Sequence, residues 1–192
     1  NNSIAMSSMA FHFGKPESEI KSIIDESSKK LLAERTNRVR PGLDDKIITS
    51  WNALMISAFA KGYRVTDNPK YLECAQKCVE FIQTHLLKDD NLLRTYKNGT
   101  AKLQAYLEDY AYLINALVDL FEVNPEPKYL ALAEKLANHL VEHFWDEKNS
   151  SFYFTADNHE SLIIRPKNNY DLSMPSGNSV AAGSLLKLFH LT

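Results

Sequence analysis

Apolar and polar positions recur with helical spacing along most of the chain. Between residues 17 and about 36, apolar side chains return every three to four positions and so share one helix face. They are Ile20, Ile23, Ile24, Leu31 and Leu32. Pro16 and the acidic residues that follow it are typical of a helix start. Residues 1–16, which end in glycine and proline, are predicted to be irregular.

Two further helices form a predicted hairpin. The first begins at Thr49 or Ser50, either of which is a suitable N-cap, and it carries an apolar face rich in small residues. The second runs from about residue 69 to 88 and bears regularly spaced charges, and Asp89-Asp90-Asn91 ends it. Two β-like runs then flank Asn98-Gly99, a dipeptide typical of a tight β-hairpin.

The hairpin pattern repeats 58 positions later, where Asn68-Pro69-Lys70-Tyr71-Leu72 recurs as Glu126-Pro127-Lys128-Tyr129-Leu130. In the preceding helix, Ala58 corresponds to Ala116 at the same offset. A third copy begins near Asn178. Helical hairpins of this length indicate a solenoid or a closed toroid. Inner helices of a double ring crowd together and need small residues, so the alternation of small-residue and charged helices favours the toroid.

The predicted fold class is therefore all-α, with helical hairpin repeats that form about half of an α/α toroid and with short β-hairpin excursions. An ordinary helical solenoid is the alternative. A single domain is expected over residues 1–192. Its segments are a leader (1–16), a first helix with a polar loop (17–48), two hairpin repeats (49–105 and 106–165) and the start of a third (166–192). Half a ring has an open edge, through which self-association is expected.

Composition narrows the class of protein. The 192 residues are 44% hydrophobic and carry a net charge of −2, which gives no electrostatic case for nucleic-acid binding. No apolar run approaches the roughly 20 residues that a membrane-spanning helix needs, and no signal peptide is visible. Cys74 and Cys78 lack the spacing of a redox or zinc pair and are expected to be reduced, which predicts a cytoplasmic protein. The absence of an initiator methionine suggests a fragment.

Three polar motifs carry a family resemblance. They are Arg38-Val39-Arg40-Pro41-Gly42-Leu43-Asp44-Asp45-Lys46 followed by Thr49-Ser50-Trp51-Asn52, then Leu107-Glu108-Asp109-Tyr110-Ala111, then Met174-Pro175-Ser176-Gly177-Asn178-Ser179. In this order they resemble the motifs of the thioredoxin-domain-containing, spermatogenesis-associated protein family. The resemblance covers residues from about 17 to the end and implies a six-hairpin toroid of the glycosidase and sugar-epimerase type. No redox role is implied, because the chain lacks a thioredoxin-like region and a Cys-x-x-Cys motif.

Each motif lies where the chain enters an inner helix, so a ring would bring the three together at one mouth. Helix N-termini favour anions, and glycoside hydrolysis needs paired carboxylates. The predicted catalytic residues are Asp44, Asp45, Glu108 and Asp109. The predicted substrate-binding residues are Arg40, Lys46, Trp51, Asn52, Tyr110, Ser176 and Asn178. The alternatives are capping or ion pairing for the acidic residues and core packing for the aromatic ones.

Two functions follow from these motifs. The first is a sugar hydrolase or epimerase that acts on a carbohydrate or another small molecule without a cofactor or a metal. The second is a non-catalytic helical-repeat module that binds a thioredoxin-like partner. The segment His139-Leu140-Val141-Glu142-His143 matches the inverted metalloprotease pattern. It lies on a charged outer helix whose counterpart in the preceding repeat has no metal-binding set, so no zinc site is predicted there.

Overall fold

The chain forms two compact units, Asn1–Asp44 and Asp45–Thr192. This computed structural model describes residues 5–88, 91–160 and 163–192. Asp89 and Asp90, which were expected to end the charged helix of the first hairpin, lie outside those ranges. The three motifs are divided between the units, because the first motif runs across the boundary at Asp44.

The first unit contains helix α1 (Met6–Phe13) and helix α2 (Glu17–Thr36). Helix α1 corrects the expectation that residues 1–16 are irregular, and it ends at Gly14, whose φ of 61° is left-handed. Helix α2 begins directly after Pro16, as predicted. Its apolar face is only partly covered, since Ile20 is buried while Leu31 is 71% exposed.

The second unit consists of helical hairpins. Its helices are α3 (Thr49–Thr66), α4 (Pro69–His85), α5 (Leu107–Val123), α6 (Pro127–Phe144) and α7 (Gly177–Leu191). The small-residue helices α3, α5 and α7 pack side by side, α4 packs against α3, and α6 packs against α5. The predicted all-α hairpin repeat is therefore confirmed. Proline at the first helical position of α4 and α6 explains why both hairpins turn at equivalent points.

Short strands connect the hairpins. They are β1 (Ile47–Ile48), β2 (Leu87–Lys88), β3 (Asn91–Lys97), β4 (Thr100–Gln104), β5 (Trp145–Asp146) and β6 (Ser151–Phe152). Strands β3 and β4 pair across Asn98 and Gly99, which both have positive φ, as the dipeptide predicted. Strand β1 also pairs with β3, placing Ile48 opposite Thr95. The start of α3 is therefore fixed to the β3–β4 hairpin.

Helix α5 is the centre of the core. It lies between α3 and α7 with α6 against it, so nearly every residue from Leu107 to Leu120 is buried. Ala53, Ala111 and Ala116 have no exposed surface, and such small side chains let neighbouring helices approach closely. Within the described residues, no helix is both long enough and apolar enough to cross a bilayer.

Helices α3 and α5 pack with their repeats in register. Residues that occupy equivalent positions in the two repeats touch each other directly. The pairs are Ser57–Asn115 at 3.3 Å, Lys61–Asp119 at 3.2 Å and Arg64–Glu122 at 3.3 Å. Each pair is separated by the 58 residues of the repeat. The repeat detected in the sequence is therefore also the packing register of the inner helices.

Helix α7 keeps apolar residues at its surface. Leu186 is 58% exposed and Phe189 is 75% exposed. Leu185, Leu188 and Phe189 also line a shallow groove with residues of α6. Self-association through this edge of the second unit stays a prediction.

The close packing of α5 makes Ala116 sensitive to size. Replacing Ala116 with Leu would force extra volume into a fully packed core and should lower the free energy of unfolding by about 1–3 kcal/mol. Urea denaturation followed by circular dichroism measures this change. The matched control is Ala58→Leu, since Ala58 occupies the equivalent repeat position but is exposed. Equal stability of the two variants would contradict the described burial of α5.

Candidate functional site

Asp109 joins the starts of two neighbouring inner helices. Its Oδ1 accepts the backbone N–H of Ser50 in α3 at 2.9 Å. Its Oδ2 accepts the N–H of Tyr106 and an Nη1–H of Arg94, both at 2.9 Å. The carboxylate is fully buried. These contacts agree with the capping and ion-pairing alternative for this residue.

This arrangement corrects the predicted cap of α3. The N-cap is Ile48, without a side-chain cap, because Asp109 takes the Ser50 N–H from outside the helix. Thr49 instead donates its hydroxyl to the Leu93 carbonyl of β3 at 2.6 Å. A helix start thus obtains its acceptor from a neighbouring helix.

Burial also governs the titration of the charges at this junction. Burial raises the pKa of Asp109 above its ordinary value, against the opposing effects of Arg94 and the Tyr106 N–H. Burial works against the Arg94 cation, but Asp109 and Glu108 outweigh it and raise the pKa of the guanidinium. Arg94 is therefore held as a cation beside both carboxylates.

Glu108 faces a small cavity instead of the core. Its Oε1 accepts Nη1–H of Arg94 at 3.0 Å, and its side chain is 16% exposed. The cavity has a volume of about 90 Å³. Its lining combines the second and third motifs with the loop before α7: Leu107, Glu108, Phe154, Asn168, Tyr170, Leu172, Ser173, Met174, Pro175 and Gly177. We call it the mouth cavity. The two motifs within the second unit therefore meet, as the sequence predicted.

Hydrogen bonds hold the loop over the mouth cavity. Ser176 Oγ donates to the Asn168 carbonyl at 3.1 Å, and the Ser176 N–H donates to Asp171 Oδ1 at 2.8 Å. Asn178 accepts the Phe152 N–H at 2.7 Å and donates to the Phe152 carbonyl at 3.0 Å. Ser176 is the N-cap of α7, although its side chain makes no cap bond. Both predicted binding residues thus shape the loop before α7.

Asp146 holds the far side of the same loop. It accepts the ammonium of Lys167, Nδ2–H of Asn149 at 2.6 Å and the Lys148 N–H at 3.0 Å. The bonds from Lys167 and Asn149 hold the pKa of Asp146 well below its ordinary value. The segment that covers the mouth cavity is thus fixed at both ends.

A larger cavity lies along the inner helices. Its volume is about 430 Å³, within the range typical of small-molecule sites. It is lined by Leu54, Ser57, Ala58, Lys61, Tyr112, Asn115, Pro175, Val180, Gly183, Ser184 and Lys187. We call it the inner cavity. Pro175 lines both cavities, and Tyr112 donates its hydroxyl to the Pro175 carbonyl.

The predicted aromatic binding residues have different surroundings. Trp51 is 57% exposed and lies on the α3 face that continues to Leu54 and Ala58 of the inner cavity. Tyr110 is buried, stacks on His139, and accepts the Leu92 N–H at 3.0 Å through its hydroxyl. Tyr110 thus has the core packing named as its alternative, and Trp51 remains accessible to a ligand.

Other predicted residues of the first motif lie near the β3–β4 hairpin. Asp45 forms an ion pair with Lys97 at 2.5 Å, and the hydrogen bond from Lys97 lowers the pKa of Asp45. Lys46 lines a separate surface cavity with residues of the hairpin. Asn52 donates to the Ile48 carbonyl at 2.9 Å. Asp44 and Arg40 are exposed residues of the first unit.

The His-x-x-Glu-His segment lies on α6, as expected for an outer helix. His143 Nδ1 is 2.8 Å from Asp157 Oδ1, while His143 Nε2 is 4.0 Å from Glu142. His139 and His143 border a polar surface cavity. In the described ranges, no three His, Cys, Asp or Glu side chains are grouped so as to hold a metal ion.

Sequence reasoning missed several residues of these cavities. Arg94 was missed because it comes from a strand, and nothing in its local pattern connects it with Glu108. Lys61 and Asp119 were visible in principle, because they are related by the repeat offset and have opposite charges. Comparing charges across the repeat would have identified them.

The Asp109 junction should be required for stability. Asp109→Ala leaves Arg94 and two N–H groups without their acceptor, so we expect a loss of about 3–5 kcal/mol in the free energy of unfolding. Chemical denaturation measures the loss. The control Glu122→Ala, at the exposed end of the same helix, should change stability by about 0.5 kcal/mol or less. A small effect at Asp109 would show that the junction is dispensable.

The contact between α5 and α7 should tolerate no side chain at Gly177. A Cβ there would lie 3.0 Å from Leu107 Cγ and 3.3 Å from the Glu108 nitrogen. Gly177→Ala should therefore destabilise the protein by about 1–3 kcal/mol. Gly183→Ala, where a Cβ meets nothing within 4 Å, should stabilise α7 by up to about 1 kcal/mol. Thermal unfolding of both variants compares them, and the same sign of change in both would refute this packing.

The chain has relatives among curated proteins. No protein-family profile matches it. It is 33% identical over 181 residues to an uncharacterised protein of Caenorhabditis elegans, covering 90% of this chain and 25% of that protein. It is 29% identical over 194 residues to human spermatogenesis-associated protein 20, covering 95% of this chain and 25% of that protein. The chain thus spans about a quarter of the length of these relatives.

Solved structures share the hairpin arrangement. Cellobiose 2-epimerase from Bacillus thermoamylovorans matches with a TM-score of 0.65 and 15% identity, over 78% of this chain and 42% of that one. A D-mannose isomerase matches with a TM-score of 0.64 and 16% identity, over 77% of this chain and 36% of that one. A third match is an inactive α-1,6-mannanase of Salegentibacter, in which two consecutive aspartates are replaced, in complex with α-1,6-mannotriose. Its TM-score is 0.60 and its identity 15%, over 76% of this chain and 42% of that one. The chain has the hairpin fold of six-hairpin glycosidase-like proteins, and its relatives support the resemblance to the spermatogenesis-associated family.

Proposed function

We propose that the chain belongs to the spermatogenesis-associated protein family and supplies part of a carbohydrate site, where it acts as a sugar hydrolase or epimerase. The observation that carries the proposal is a pair of cavities that share Pro175, with Glu108 lining the mouth cavity and the exposed Trp51 on the α3 face that leads to the inner cavity. Aromatic surfaces beside a few fixed polar groups are typical of small-molecule sites. The similarity to sugar epimerases and mannanases supports a saccharide as the ligand.

The adjacent carboxylates have different roles in this proposal. Glu108 borders a cavity, so it is the group that exchanges a proton with the bound sugar. Asp109 is a positioning residue, because its oxygens are engaged by Ser50, Tyr106 and Arg94. Arg94 contacts both carboxylates and so couples the orientation of Glu108 to the buried junction. The inactive mannanase with two altered consecutive aspartates supports a role for adjacent carboxylates in this fold.

Hydrolysis also needs a second carboxylate on the other side of the scissile bond. Asp44 and Asp45 form the other consecutive pair, and Asp45, which belongs to the second unit, stays a candidate for that role. Asp45 is half exposed, and the hydrogen bond from Lys97 lowers its pKa, which favours the carboxylate form that a base or nucleophile requires. Epimerisation would require only proton removal and return at a sugar carbon, for which Glu108 is the proposed group.

Tyr112 lines the inner cavity at a position on α5 between Glu108 and the lysine end of that cavity. It lies one helical turn after Glu108, on the same face of α5. Burial raises the pKa of Tyr112 to about 12, so its hydroxyl stays protonated. It can therefore donate to the Pro175 carbonyl in the loop before α7 at neutral pH.

The experiment measures sugar turnover by proton NMR of the anomeric signals. Mannose, cellobiose and α-1,6-linked manno-oligosaccharides are the probes, and hydrolysis and epimerisation give different products. Glu108→Gln keeps the shape of the side chain but removes its titration. It should lower turnover by about 100-fold or more without lowering the thermal midpoint. Glu80→Gln, on the exposed face of α4, is the matched control.

Binding is tested separately with Trp51→Ala. Loss of the exposed indole should weaken sugar binding, measured by chemical-shift titration, while leaving stability unchanged. Asp45→Asn asks whether the second consecutive pair takes part in turnover. Full activity in Glu108→Gln, or no shift with any of the sugars in the parent protein, would overturn the proposal.

The second candidate is a non-catalytic module that binds a thioredoxin-like partner. The exposed Leu186 and Phe189 of α7 favour it, because they offer an apolar surface beside α6. Titration with a thioredoxin-like domain would then shift signals of α7. If the protein converts a sugar and the thioredoxin-like domain shifts no signals of α7, this alternative is excluded.

A further inference from the structure

A charged network lies at the far end of the inner cavity. The buried carboxylate of Asp119 contacts Lys61 of α3 at 3.2 Å through Oδ2 and Lys187 of α7 at 3.3 Å through Oδ1. Asn115 donates to Asp119 Oδ2 at 3.0 Å and accepts from Lys187 at 3.2 Å. Three neighbouring helices therefore direct their polar groups to one point. Neither the three motifs nor the proposed proton transfer uses this network.

The network holds two cations in one place. Asp119 is 3% exposed, whereas the side chains of Lys61 and Lys187 are 54% and 45% exposed. The carboxylate is thus covered by protein while both ammonium groups reach the cavity. Two positive charges and one negative charge leave a net charge of +1 at its wall. Long lysine side chains normally lose much conformational freedom when they bind a ligand, and here their shared partner has already restricted them.

The other charges nearby do not cancel this excess. Arg64 and Glu122 lie one turn further along α3 and α5 and neutralise each other at 3.3 Å. The carboxylates of the mouth cavity are remote, because Glu108 and Asp119 are 11 positions apart on α5, a rise of about 16 Å. The lysine end of the inner cavity is therefore electropositive, and Glu108 lies at the separate mouth cavity.

We propose that this end of the inner cavity binds the anionic group, a carboxylate or a phosphate, of an acidic sugar. Lys61 and Lys187 would each donate to the anion while they keep Asp119 as a common second partner. Ser57 lines the same cavity and accepts a hydrogen bond from Asn115 of the network at 3.3 Å, so its hydroxyl lies beside the proposed anion site. The sugar ring would occupy the cavity toward Tyr112. This inference rests on the proposed function and names the class of its substrate.

The test compares four probes by isothermal titration calorimetry: glucose, glucuronate, glucose 6-phosphate and inorganic phosphate. We expect at least one acidic sugar to bind about tenfold or more tightly than glucose and than inorganic phosphate. Raising the salt concentration should weaken binding of the acidic sugar but not that of glucose. A preference for glucuronate assigns a carboxylate to the site, and a preference for glucose 6-phosphate assigns a phosphate.

Variants locate the binding. The double variant Lys61→Gln/Lys187→Gln should lose the preference for acidic sugars, and Lys61→Arg/Lys187→Arg should retain it, since arginine keeps the charge. The arginine variant also controls for loss of folding. Lys77→Gln, on the exposed face of α4, should bind like the parent protein. Unchanged preference in the glutamine variant would overturn the inference.

The outcomes separate this inference from the proposed function. Equal affinity for glucose and both acidic sugars would overturn the anionic subsite, while turnover that depends on Glu108 would still support a sugar-converting enzyme. Tight binding of inorganic phosphate alone would overturn a sugar ligand at this end. Acidic-sugar binding that depends on the lysines, in a protein that converts no sugar, would support the subsite and overturn the catalytic role of Glu108.

Discussion

The structure of the second unit depends on one buried carboxylate. Helix starts have unsatisfied N–H groups, and three helices that begin side by side would place several of them in the interior. Asp109 accepts hydrogen bonds from the backbone N–H groups of both Ser50 and Tyr106, and it forms an ion pair with Arg94 on β3. A single side chain therefore connects α3, α5 and the hairpin strand. The cost of burying its charge is offset only while all three partners remain in place.

The same junction orders the candidate site. Because Arg94 also holds Glu108, the accessible carboxylate is oriented by the inaccessible one. From Glu108 the α5 face continues through Tyr112 and Asn115 to Asp119, and the flanking helices add Leu54 and Lys187 at corresponding levels. The wall of the inner cavity is thus formed mainly by regular helices, and the loop before α7 lines the mouth cavity. Rigid elements hold polar groups more precisely in position than loops do.

The repeat, the hairpin turn at Asn98-Gly99 and the alternation of inner and outer helices could be predicted from the sequence, because each depends on local spacing. It also predicted that Glu108 and the third motif would meet. It did not predict that Asp109, and not a side chain at the start of α3, would accept the Ser50 N–H, since that contact comes from a neighbouring helix. Helix α1 was missed because its apolar residues lack a polar face with clear periodicity. Arg94 was missed because a tertiary contact alone connects it with the motifs.

The register of α3 against α5 has a consequence for helix order. Two identical copies of α3 aligned in this way would set lysine against lysine at position 61 and arginine against arginine at position 64. The actual neighbours, Asp119 and Glu122, convert each repulsion into attraction. Although the repeats share their shape, they are not interchangeable, because each inner helix matches a neighbour of complementary charge. The charge differences between the repeats thus determine which inner helices can pack next to each other.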